Sequence, residues 1–150
     1  MDKNEVKAKL LATCIAQQEE AISQLQQEID DAQKQANDYG QPKDRYDAFK
    51  TKILRQKDMF AQQQAKGKLV LITLKQIPLD KTYSEVEFGA VVITNKQKLF
   101  VAAGLGKIEV DGETFFAVSP KVPIFNALKG LKPGESTVFN GMNIEIKEVF

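Results

Sequence analysis

Histidine is absent and cysteine occurs once, at Cys14, so the side chains that carry much of enzyme chemistry are nearly missing. One thiol and no imidazole cannot assemble the usual nucleophile–base triad or a tetrahedral zinc site. Gly104-Leu105-Gly106-Lys107 has the superficial look of a phosphate loop. It lacks the full glycine fingerprint and opens no helix, so it reads as a turn. Asp38, Tyr39 and Asp44 fall where two helical segments meet, and solvated loop acids are the plain reading there. Ser119-Pro120 closes a strand over 114–119, because proline cannot donate to a sheet ladder. These residues offer contact chemistry more readily than turnover.

Two structural regimes must position them. Twelve of the fourteen glutamines precede residue 66, whereas eight of the nine glycines and four of the five prolines follow it. The shift places a boundary near Ala65-Lys66-Gly67, with a helical half over 1–66 and a β-rich half over 67–150. Ala8, Leu11, Ile15, Gln18, Ile22, Leu25, Ile29, Ala32 and Ala36 alternate spacings of three and four. That is a heptad seam with Gln18 as its one polar interruption. Tyr46, Phe49, Ile53, Gln56 and Phe60 repeat the spacing. Between the segments, Gly40 stops the first helix and Pro42 disfavours helix at Gln41. A loop so short predicts two helices folded back antiparallel.

Charge agrees with that pairing. Residues 19–38 hold six acids and one base, and residues 43–57 hold six bases and two acids. An acidic strip would lie beside a basic one, each exposed pair worth only about 0–1 kcal/mol. The pattern therefore selects orientation more than it stabilises. The first helix begins before Ile15 with no counterpart in the second, and that overhang is expected to pack on the β-rich half.

In the β-rich half, the apolar run 68–76 predicts a buried strand. Further strands are expected at 87–94, 99–102, 107–110, 113–118, 137–139 and 142–149. Asp111-Gly112 and Asn140-Gly141 are two-residue hairpin signals that need positive φ. Pro123 suits a first helical turn and Gly130 a left-handed cap, so 123–129 reads as a short apolar helix. Pro133-Gly134 turns the chain into the next strand. The expected class is α+β, an antiparallel sheet curved over one short helix. The net charge of +1 gives no drive toward nucleic acid or membrane. A lone cysteine, no signal-type segment and no run of roughly 18 apolar residues lead to a soluble, cytoplasmic expectation.

The series Ser119-Pro120, Asn126-Ala127-Leu128-Lys129-Gly130 and Lys132-Pro133-Gly134-Glu135 resembles the C-terminal domain of the Gre (GreA/GreB) family of bacterial transcript-cleavage and elongation factors. Val86-Glu87-Phe88-Gly89-Ala90-Val91-Val92 looks like that domain's opening strand, and Asn140-Gly141 with 142–149 like its closing hairpin. The match is specific over about 86–150 and architectural over the first 66 residues. It implies an FKBP-like C-terminal fold after a coiled-coil hairpin. FKBP-like domains elsewhere can be prolyl isomerases, but this chain has no tryptophan and the Gre-type resemblance implies a binding version of the fold.

By that resemblance the partner is RNA polymerase, with nucleic acid met only indirectly through the elongation complex, no membrane, and a monomeric protein. The hairpin would enter the polymerase's secondary channel while the C-terminal domain docks at the rim through Ser119 and Pro120. The structural role of Pro120, a strand end and helix start, stands beside that reading. No cofactor of its own is implied, only a magnesium ion shared in trans with the polymerase active site. The family's tip carries two acids three residues apart. Aligning Tyr46-Asp47-Ala48-Phe49-Lys50 with its downstream portion puts Tyr39 and Pro42 at those positions. Sliding by one residue gives Asp38 and Gln41, and Asp44 is the other nearby carboxylate. Asp38 and Asp44 are the metal-contacting candidates, with Tyr39 as a channel contact. Two other readings stay open: a channel-binding regulator that does not stimulate cleavage, and a self-associating coiled-coil scaffold with an FKBP-like interaction domain.

Overall fold

A computed structural model describes residues 2–39 and 48–150. Helix α1 runs Lys3–Tyr39 and α2 runs Ala48–Lys75. The strands are β1 (Val91–Thr94), β2 (Lys98–Val101), β3 (Gly106–Val110), β4 (Glu113–Val118), β5 (Ser136–Phe139) and β6 (Met142–Val149), with α3 (Pro123–Leu128) between β4 and β5. Contacts divide the chain into two compact units: Gln17–Ile72, and Met1–Ala16 together with Thr73–Phe150.

The unit Gln17–Ile72 is an antiparallel helical hairpin. Its cross-helix pairs run in opposite senses: Gln18 with Gly67, Gln64 with Gln26, Lys57 with Gln33, and Tyr39 with Phe49. The seam expected in α1 is the face turned inward, with Gln18, Ala32 and Ala36 buried and Ile22, Leu25 and Ile29 half-buried. In α2 the inward positions are Ile53, Lys57, Phe60, Gln64, Gly67 and Leu71. Gln56, expected in the seam, is exposed, and so is Phe49. Among the described residues, the side-chain amides of Gln18 and Gln64 bond across the helices, to Gly67 and to Ile22 and Gln26. Two acids of α1 accept from glutamines one turn away on their own helix, Glu20 from Gln24 and Asp30 from Gln26.

The run 68–76 corrects the strand expectation: α2 continues to Lys75. Its inward spacing of three and four carries on through Phe60, Gln64, Gly67 and Leu71 to Leu74, which is fully buried. The intervening Leu69 and Ile72 are 65% and 53% exposed. Lys66-Gly67, where composition shifts, therefore lies inside a helix.

In the other unit, six strands order as β3-β4-β2-β1-β6-β5. The sheet is mixed, not wholly antiparallel, because β2 pairs β4 in parallel with Leu99 opposite Phe116. Strand β3 intervenes in the chain and pairs on the far side of β4, so β4 reaches β2 from the parallel direction. The turns Asp111-Gly112 and Asn140-Gly141 both have positive φ at both residues, as the hairpin signal requires. Residues 87–90 are a turn instead of the start of β1, since Gly89 sits at φ 93° against the Tyr83 side chain. On one face of the sheet, Val92, Leu99, Val101, Ile144 and Ile146 pack with Phe125 and Leu128 of α3. Alternation sends Val91, Phe100, Phe115 and Ala117 to the opposite face, where they are also buried. Val6 of α1 lines a groove with Ile93 and Phe115 on that side, so the overhanging start of α1 does pack on the β-rich unit.

Candidate partner-binding surfaces

Two groups of residues lie at the surface, and a third surrounds a buried lysine. At the far end of the hairpin, Asp38 lies in the last turn of α1 and is exposed. The half-buried Tyr39 packs its ring against Phe49 of α2, centroids 4.9 Å apart and planes tilted by 49°. That distance lies in the range aromatic pairs favour, and the contact joins the ends of the two helices. Phe49 remains 56% exposed, presenting a ring beside the tip. Asp44, Gln41 and Pro42 lie outside the described residues. Asp38 is thus the tip carboxylate whose position is described. Among the described residues no group of three or more acids, thiols or imidazoles is placed to hold a metal ion.

In the β-rich unit, Ser119 and Pro120 follow directly on β4. The Ser119 hydroxyl accepts from the Lys121 N–H at 3.1 Å, and its carbonyl from the Val122 N–H at 3.3 Å. Both residues are half-buried. The hydroxyl is engaged in a local serine turn, which sets the chain direction so that Pro123 can open α3. Gly104 lies alongside, where a β-carbon would stand 4.0 Å from that of Ser119. The loop after β2 and the turn after β4 therefore form one patch of surface. Gly104–Gly106 is a turn leading into β3, and no helix begins there. The Gly130 N–H donates to the Val86 carbonyl at 2.8 Å, tying the end of α3 to the segment before β1.

The third group was not visible in the heptad reading. Lys7 is 1% exposed. Its ammonium donates to the Lys81 carbonyl at 3.1 Å and stands 4.2 Å from the centre of the Tyr83 ring. Lys81 lies 4.7 Å from the same ring and pairs with Glu87 at 3.1 Å. Burial, followed by the nearby Lys81 charge, lowers the Lys7 pKa to about 8. Cys14, two turns on, is buried and has its thiol raised to about 11 by desolvation. Lys7, Leu10 and Cys14 share a spacing of three and four beside the seam, a second stripe that the stronger seam masks in the sequence.

No protein-family model matches the chain, and no curated protein matches it. Among solved structures, the chain is similar to one described as the crystal structure of GreA factor homolog 1 (Gfh1) protein of Thermus thermophilus. The identity is 16%, covering 89% of this chain and 94% of that one, with a TM-score of 0.34. No helix among the described residues is long and apolar enough to cross a membrane.

Proposed function

We propose that the chain is a Gre-like regulator of transcription elongation that binds RNA polymerase and places its hairpin in the secondary channel. The observation that carries the reading is the motif series of 86–150. Its Ser-Pro ends a strand, its Ala-Leu-x-Gly forms a short capped helix, and its Asn-Gly opens the last hairpin. In support, a long antiparallel helical hairpin accompanies that domain. The 28 residues of α2 extend about 42 Å at 1.5 Å per residue, more reach than a small domain needs to cover its own core.

On this reading the protein has no turnover of its own and acts through the polymerase. Docking belongs to the β-rich half, through Ser119, Pro120 and the adjoining loop at Gly104. At the tip, Asp38 would supply an oxygen to a magnesium ion held mainly by the polymerase, assisted by Asp44. Hard divalent ions favour several oxygen ligands, and Tyr39 packed on Phe49 offers an aromatic surface where the family carries a carboxylate. Occupation of the channel with weak or no stimulation of cleavage therefore fits this tip better than strong cleavage. The test is retention of RNA polymerase on the immobilised full chain, followed by a cleavage assay on stalled complexes. Retention without strong cleavage is expected. Failure to retain polymerase would remove the proposal, and association of the chain only with itself would favour a scaffold.

A further inference from the structure

The hairpin is built from weaker stock than the β-rich unit. Among the described residues, its buried apolar cluster is Ala32, Ala36 and Ile53. Nearer its base, the fully inward seam residues are Gln18 and Gln64. Gln18 donates to the Gly67 carbonyl at 2.9 Å, and Gln64 to Gln26 Oε1 at 2.9 Å and to the Ile22 carbonyl at 3.3 Å. Lys57 closes on Gln33 at 2.6 Å. Such bonds largely exchange for bonds to water when the helices part. Ile22, Leu25, Ile29 and Phe60 are only half-buried even when the hairpin is closed. Gly67 lowers helix propensity in the middle of α2, and helices without a packed partner are marginal in water. The other unit buries Phe100, Phe115, Ile108, Leu128 and Ile146 almost completely.

We propose that the hairpin is a separate cooperative unit that opens, helix from helix, while the β-rich unit stays folded. Opening exposes Ile22, Leu25, Ile29, Ile53 and Phe60. A narrow partner cavity that admits only the closed pair would select it and hold it shut. The inference stands on the hairpin's seam and does not depend on which partner it meets.

Helix α1 supplies an internal reference, because its residues up to Ala16 belong to the β-rich unit and those from Gln17 onward to the hairpin. In native-state hydrogen exchange on the full chain, amides of 17–39 and 48–72 are expected to open about 100-fold more often than those of β1, β2 and β6. A step in protection should fall within α1 although the helix is continuous. Gln64→Leu, which puts an apolar side chain in the seam, should slow exchange in the hairpin roughly tenfold and leave the sheet unchanged. Ile53→Ala should speed hairpin exchange alone. Hairpin amides exchanging in step with the sheet would overturn the proposal. So would either substitution altering both units equally.

Discussion

The side-chain amide of Gln18 donates to the backbone carbonyl of Gly67 at 2.9 Å, joining the one polar residue of the α1 seam to the one glycine of α2. The pairing is steric as well as polar. A β-carbon on residue 67 would come within 3.1 Å of Gln18 Nε2 and 3.4 Å of Ile22 Cγ1, so glycine lets the helices approach. Gln18→Ala removes the bond without orphaning the carbonyl, which retains its place in the helix. The expected loss is about 0.5–1.5 kcal/mol, read as lower thermal stability of the helical signal with the β-rich unit unchanged.

Ile53 is the largest member of the hairpin's apolar cluster. A carboxylate there would be buried on pairing, in place of the largest apolar side chain of that cluster. Ile53→Glu is expected to abolish helix pairing, seen as loss of helical circular dichroism, while the sheet keeps its amide spectrum. Unfolding of both units together would show that they depend on each other.

Gly89 carries a second steric requirement. It holds φ at 93°, and a β-carbon would lie 2.4 Å from the Tyr83 hydroxyl oxygen. Gly89→Ala should cost about 1–3 kcal/mol from backbone strain alone, with the clash added. Tyr83→Phe in the same chain should recover the part due to the hydroxyl. Denaturant titration of the natural chain, the two single variants and the double variant measures that coupling, and strictly additive losses would contradict the contact.

Lys7 makes stability depend on pH in a defined direction. Its folded pKa of about 8 lies below the ordinary 10.5, so burying the charged form opposes folding, fully so below pH 8. The opposition fades as pH rises from 8 toward 10.5. Cys14 acts oppositely above its ordinary value of 9, since its folded thiol ionises only near 11. Between pH 8 and 9 the lysine effect therefore stands clear, and stability should rise. Lys7→Met should be more stable than the natural chain at pH 7 and flat across that window. A rise of equal slope in Lys7→Met would assign it to another group.

The legible parts of the fold were those with a local mechanism. Asp111-Gly112 and Asn140-Gly141 demand positive φ and form tight turns, and Pro123 and Gly130 bracket α3. The α1 seam declared itself by spacing. The misread run 68–76 shows the limit. Consecutive Leu69, Val70, Leu71 and Ile72 hide a helical period behind contiguity, and Gly67 looks like a break when it is a contact. The parallel pairing of β2 with β4 depends on which neighbours meet in space, and no local pattern encodes it. At the candidate sites, Ser119-Pro120 was readable as a strand end. Buried Lys7 was not, because its stripe lies beside a stronger one and a lysine seldom marks a core.

Ser119 bears on docking. Its hydroxyl already accepts from the Lys121 N–H, so Ser119→Ala tests the turn and Ser119→Glu the surface. Binding of polymerase should fall more in Ser119→Glu, with both variants folded. Equal losses would make the turn geometry, and not the exposed patch, the relevant feature.

The most direct measurement of the central claim is cross-linking from a photoreactive side chain placed at Tyr39 of the full chain, mixed with stalled elongation complexes. Adducts are expected on polymerase segments that line the secondary channel near its catalytic magnesium. Adducts confined to the outer surface of polymerase, or none, would contradict that claim.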